Sequence, residues 1–106
     1  MQRGILSTCY ASLADGVSAL DVDDAYRDCY DGEPFVRLTP YIPETRYVRT
    51  TNFCDIAYKI DERTGRVIAL GAIDNLVKGA AGQAVENMNI AFSLNETEAL
   101  EGKGGI

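Results

Sequence analysis

The stretch Arg66-Val-Ile-Ala-Leu-Gly-Ala-Ile73 is apolar at odd and even positions alike. Side chains of a strand alternate between the two faces of a sheet, so a strand apolar on both is expected to lie centrally, with cover on each side. The turn signal Asp61-Glu62-Arg63-Thr64-Gly65 precedes it, and before that Asn52 to Ile60 alternates. Cys54, Ile56, Tyr58 and Ile60 share one face there, while Asp55 and Lys59 share the other. Together the two segments predict a hairpin, with Gly71 admitting close approach of a neighbour. Arg3 to Leu13 alternates as well, with Ile5, Cys9, Ala11 and Leu13 set against Leu6, Thr8, Tyr10 and Ser12. Phe35 to Thr39 is a further short strand, and Pro40 to Arg49, with two prolines, is a loop.

The pattern changes period twice. After Asp15-Gly16, Ser18 and Asp21 have the spacing of a capping box, and Val22, Ala25, Tyr26, Cys29 and Tyr30 recur on a helical stripe. Gly32 ends that helix and Pro34 blocks its restart. Asp21, Asp23, Asp24, Asp28 and Asp31 read as its solvated side rather than a metal site. From Lys78 to about Phe92 the spacing is again helical, with Ala81, Val85, Met88 and Phe92 on one stripe, and the tail from Asn95 is expected to fray. The order β-α-β-β-β-α predicts an α+β fold, a mostly antiparallel or mixed sheet with helices on one face.

A chain of 106 residues fits one compact domain with a radius of gyration of about 13 Å. The net charge of −6 argues against nucleic-acid or anionic-membrane partners. No apolar run reaches the length of a membrane span. Three cysteines, Cys9, Cys29 and Cys54, with no close pair, argue against a disulfide framework or a metal site and for a reducing, cytoplasmic setting. The absence of histidine removes any Ser-His or Cys-His pair from these residues. All three cysteines read as small packing residues.

One segment carries more than fold. Ile73-Asp74-Asn75-Leu76-Val77-Lys78-Gly79-Ala80-Ala81-Gly82-Gln83-Ala84-Val85 leaves a buried strand through a polar turn and enters a helix over small residues. Two glycines in the first turns cost roughly 0.5–1 kcal/mol each against alanine, which points to a steric demand. The helix start is also expected to offer free amides to a polar or anionic group.

That run, extended to IDNLVKGAAGQAVENMN, together with RGILSTCYA, EPFVRL and TNFCDI in the same order, resembles the C-terminal part of the N-acetyl-gamma-glutamyl-phosphate reductase family, over about residues 2–100. The resemblance implies the C-terminal domain of the semialdehyde and glyceraldehyde-phosphate dehydrogenase superfamily, whose sheet makes a subunit interface. It implies a part in the NADPH-dependent reduction of an acyl phosphate to N-acetylglutamate 5-semialdehyde in arginine synthesis. The family's nucleotide-binding G-x-x-G-x-x-G, its nucleophile in G-C-Y and its H-R-H histidine all precede the R-G-I segment. The residues here are therefore expected to be inactive alone, with none of them catalytic. Cys9 stands in the later RGILSTCYA strand and is not the nucleophile.

Within the resemblance, Asn75 takes the position that binds the nicotinamide carboxamide, and Gly79 and Ala80 let the helix start approach NADPH. Arg3 and Asn52 are candidates for the substrate side, and Lys78 for a cofactor phosphate. Residues 1–74 would be the dimerisation part; 75–106 would be the returning cofactor-side turn, helix and tail. The partners implied are the acyl phosphate, a nucleotide-binding domain of the same protein, and a second copy through the sheet. The stripe Val85, Met88 and Phe92 would then lack its usual cover, leaving that helix refolded on the sheet, partnered by another copy, or locally unstable. Two other readings stand beside this: a non-enzymatic module that assembles through its sheet, and the corresponding part of the lysine-pathway aminoadipyl-phosphate reductase.

Overall fold

In the computed structural model, residues 3–100 are described. They form one four-stranded mixed sheet in the order β1-β4-β3-β2. The strands are β1 (Ile5–Ser12), β2 (Val36–Leu38), β3 (Cys54–Asp61) and β4 (Arg66–Ile73); the helices are α1 (Ala19–Tyr30), α2 (Thr45–Val48) and α3 (Gly82–Ala91). As the double-sided apolar pattern requires, β4 lies inside the sheet, antiparallel to β1 and β3 along its full length. Ile5 sits opposite Ile73 on one side, and Cys54 opposite Ile73 on the other. β2 joins β3 in parallel, Val36 opposite Cys54, because the segment that carries α2 crosses back between them. At the hairpin end Gly65, with φ of +69°, closes the turn by donating its amide to the Asp61 carbonyl at 2.9 Å.

The capping box forms as read: the Ser18 amide donates to Asp21 Oδ2 at 2.9 Å, and the Asp21 amide to Ser18 Oγ at 3.2 Å. α1 lies on the sheet face of Cys54, Ile56 and Tyr58. Its Tyr26 stacks on Tyr58 with ring centroids 4.1 Å apart, and the Tyr58 hydroxyl donates to Asp23. Val22 is its one buried residue, whereas Cys29, expected on the packing stripe, is exposed. Cys9 is exposed too, since β1 is an edge strand with all eight residues open to solvent. Only Cys54 is half-buried.

The helices do not share one face. The proline-bearing segment closes as α2 on the opposite side, burying Val48 completely. Arg37 holds it there: its Nε and Nη2 donate to the buried Asp55 carboxylate at 2.6 and 3.0 Å, and Nη2 also reaches the Tyr47 carbonyl at 3.2 Å. The guanidinium stacks 4.3 Å from the Phe53 ring centroid.

Past β4 the chain makes a wide π-turn, Val77–Ala81, before α3. α3 buries Gly82, Glu86 and Asn89, which are small or polar; Met88 and Phe92, read as its packing stripe, face outward, with Phe92 71% exposed. The reason is the polar ground beneath it, where Asn52 and Lys78 wait for a carboxylate. Over 95–100 the segment after α3 runs as turns back against the helix. Asn89, buried, donates to the Glu96 and Glu98 carbonyls at 3.1 and 3.0 Å and holds that segment on the helix; residues 101–106 lie outside the described range. The resulting slab has a radius of gyration of 15.3 Å, wider than the compact expectation, because a single sheet carries its helices over only part of each face and leaves β1 open.

Candidate functional site

Three chain segments converge on the last residues of β4 and the turn after it. Asp74, whose side chain has no exposure, ion-pairs with Arg3 at the entry to β1. Its Oδ2 also accepts the Thr50 amide at 2.6 Å, and its Oδ1 accepts the Leu76 amide at 2.9 Å. Burial raises the Asp74 carboxyl, but the Thr50 amide, the Arg3 guanidinium and the Leu76 amide outweigh it and hold the carboxyl below its ordinary range. Thr50 is held with φ of +67°, a conformation that threonine rarely adopts.

Asn75 lies beside this clamp. Its Oδ1 accepts the Gly4 amide at 2.6 Å, which fixes the side-chain amide plane and turns Nδ2 away. Among the described residues no acceptor takes Nδ2, although the side chain is half-buried. Glycine is required at position 4: φ is +110°, and an added Cβ would come within 2.7 Å of Thr45 Cβ.

The two glycines of the next turns separate by cause. At Gly82 an added Cβ would overlap Asn52 Oδ1 and approach the Val77 carbonyl oxygen to 2.6 Å, so the chain's own packing demands glycine. At Gly79 an added Cβ would meet only ordinary contacts, Ile73 Cδ1 at 3.4 Å and Asn75 Cβ at 3.7 Å. Gly79 and Ala80 are exposed next to Asn75. Three of the helix-start amides anticipated as free are taken up within the chain: Asp74 takes the Leu76 amide with its side chain, and the Val77 and Gly79 amides with its carbonyl at 3.1 and 3.3 Å. An aspartate at the N-terminal turn fills with its own charge the place an external anion would take.

Asn52 lies beneath the turn, 1% exposed, its Nδ2 donating to Glu86 Oε1 at 2.8 Å. Lys78 Nζ donates to the same oxygen at 2.7 Å and lies 5.6 Å from the Phe35 ring centroid, so its charge is spent inside the chain. Burial raises the Glu86 carboxyl, while Lys78, Glu96 and Asn52 lower it further than burial raises it. Glu96, hydrogen-bonded to that carboxylate, is pushed up in consequence. Burial likewise raises the Cys54 thiol against the pull of Lys78, which suits packing and not nucleophilic attack. Arg3 is 27% exposed in its side chain, and Asp74 is the guanidinium's one partner among the described residues.

The fold thus gathers Arg3, Asn75, Gly79 and Ala80 at one end of the sheet and sets Asn52 and Lys78 below them. Sequence reading missed Asp74, Glu86 and the Arg37–Asp55 pair. A charged residue next to an apolar strand end is the signal for Asp74; for Glu86, nothing in the helical period distinguishes it from a solvated glutamate.

The sequence profile of the semialdehyde dehydrogenase dimerisation domain matches residues 1–75. The chain is 57% identical over 104 residues to an N-acetyl-gamma-glutamyl-phosphate reductase of Geobacter metallireducens, covering 96% of this chain and 30% of the relative. The same-named proteins of a Geobacter species and of Campylobacter jejuni subsp. doylei are 56% and 52% identical over 103 residues, again covering 95% of this chain and 30% of theirs. The chain spans about a third of the length of the curated relatives it matches.

Proposed function

This chain belongs to the semialdehyde dehydrogenase dimerisation-domain family, and from that premise we propose that it is the C-terminal part of an NADPH-dependent N-acetyl-gamma-glutamyl-phosphate reductase. The observation that carries the reading is the Asn75 side chain, pinned through Oδ1 to Gly4 with Nδ2 unspent beside exposed Gly79 and Ala80. A carboxamide oxygen is the acceptor such a fixed donor fits, and a flat ring can lie against a turn lacking side-chain bulk. Gly79 adds support, since none of the described residues forbids a side chain there. NADPH, when bound, supplies the hydride.

The residues of this chain bind and orient. Asn75 holds the carboxamide, and the turn at Gly79 and Ala80 sets the approach distance. Arg3, braced by Asp74, keeps guanidinium donors for an anionic group of the acyl phosphate. Asn52 serves the substrate side from beneath, by holding Glu86 and the start of α3 in place. The substrate is read as N-acetylglutamyl phosphate rather than a lysine-pathway aminoadipyl phosphate because the similar proteins bear the former name. Residues 1–74 form the dimerisation part in this reading, and 75–106 the cofactor-side turn, helix and tail. A second copy pairs through the sheet face of Leu6 and Tyr10, which are 46% and 66% exposed. A nucleotide-binding domain of the same protein covers Met88 and Phe92. Three free thiols suit a cytoplasmic setting.

The test replaces the matching third of the Geobacter metallireducens reductase with this chain and assays NADPH-dependent reduction of N-acetylglutamyl phosphate. Activity is expected in the chimera and none from the 106 residues alone. Turnover by the isolated chain above a no-protein control, or an inactive but folded and dimeric chimera, would refute the proposal. The second outcome would favour a module that only assembles, which the exposed sheet face would also suit.

A further inference from the structure

Asn75 cannot orient its own side chain. What turns Nδ2 outward is the Gly4 amide on Oδ1, and Gly4 is placed by the residue before it, Arg3, which is tied to the residue before Asn75, Asp74. The two adjacent pairs form a double clamp between the entry of β1 and the exit of β4. Asp74 is its centre, since the same carboxylate also takes the Thr50 and Leu76 amides and so fixes the turn on its other two sides. The Asp74 side chain is wholly buried, and its carboxylate meets donors from three segments, so small movements of any one are resisted by the others.

We propose that Asp74 is a positioning residue: it holds Gly4 against Asn75 Oδ1 and thereby keeps Asn75 Nδ2 presented as a free donor. This rests on the reading above for what the donor is for; the positioning itself is a claim about this chain alone. Thr50 supports it independently. A threonine at φ of +67° is costly, and its amide is held in that conformation by Asp74 Oδ2. In Asp74→Asn the ion pair is lost, and one of the two acceptor oxygens becomes a donor that faces amides.

The experiment is nuclear magnetic resonance on the 106-residue protein, labelled with 15N and 13C. A scalar coupling across the hydrogen bond from Gly4 N to Asn75 Cγ is expected in the native protein. In Asp74→Asn that coupling should vanish and Gly4 amide exchange should quicken about tenfold or more, while amides of the β3–β4 ladder keep their protection. Unchanged coupling and exchange at Gly4 would overturn the proposal. Should the variant not fold, the native protein is titrated with acid instead. The Thr50, Leu76 and Gly4 amide shifts should move with one midpoint below the ordinary aspartate range, and a Gly4 shift indifferent to that midpoint would overturn the proposal. Reduced nicotinamide mononucleotide, added as a separate arm, should shift the Asn75 Nδ2 protons in the native protein and at least about tenfold less tightly in Asp74→Asn. No shift in the native protein would retire the carboxamide role of Asn75 and leave the Gly4 result to decide the positioning.

Discussion

Gly82 lies directly against the side-chain carbonyl of Asn52, with no room between them for a methyl group. A residue on the first turn of α3 and one just before β3 are thereby locked together, and the Asn52 amide goes on to Glu86, one turn along the same helix. Asn52 Oδ1 is buried without a hydrogen-bond partner among the described residues, so this contact is bounded by packing alone.

Replacing a helix glycine by alanine ordinarily stabilises by about 0.5–1 kcal/mol. At Gly82 the sign should reverse. Gly82→Ala is expected to destabilise the protein by about 1–3 kcal/mol, because Asn52 or the Val77 carbonyl must move. Gly79→Ala, with only ordinary contacts, should be neutral or stabilising. Urea unfolding of the two variants beside the native protein measures both.

Asp74 sets an acid limit. Its native carboxyl is held below the unfolded value, so its stabilisation is complete above the usual aspartate range of about 4 and is lost as pH falls through the lowered native value. Asp74→Asn should therefore be less stable at pH 6 and show a shallower loss between pH 5 and about pH 2. Denaturation midpoints of both proteins across that range are the check.

Glu96 works with the opposite sign. The Glu86 carboxylate it is bonded to raises its carboxyl, so an ionised Glu96 opposes the folded state at neutral pH and the cost disappears as pH falls below the unfolded value. Glu96→Gln is expected to be slightly more stable than the native protein at pH 7 and indistinguishable from it near pH 3. Thermal melts at the two values test it. Equal melting temperatures at pH 7 would count against the Glu86–Glu96 contact.

The Tyr58 phenol, bonded to Asp23, is pushed up to about 12. Asp23→Asn should bring it back towards its usual value near 10, read from the ring carbon shifts of labelled tyrosine. The neighbouring Tyr26, whose phenol burial also raises, should change much less.

On the face that carries α2, β1 remains exposed beyond that helix. Tyr10 stands there 66% exposed, opposite Ile68 of β4. If a second copy covers this face, Tyr10→Arg should weaken self-association by about 1–3 kcal/mol in sedimentation, without altering the far-ultraviolet spectrum.

The sequence by itself determined the strands, α1 with its capping box, and the central place of β4. These follow from local rules: alternation for a sheet, helical spacing for a helix, and cover on both faces for a strand apolar on both. It also singled out the run from Ile73 to Val85, whose resemblance to one family brought Asn75 forward. Tertiary structure alone decided how that run is held. Arg3 and Asp74 are 71 residues apart and Asn52 and Glu86 are 34 apart, so neither partner is legible in the period of its own segment. Periodicity placed Met88 and Phe92 inside because it ranks side chains by hydrophobicity. The fold put Glu86 and Asn89 inside instead: Glu86 takes the buried Asn52 amide and the part-buried Lys78 ammonium, and Asn89 donates to the Glu96 and Glu98 carbonyls, polar groups that are costly to bury unpaired.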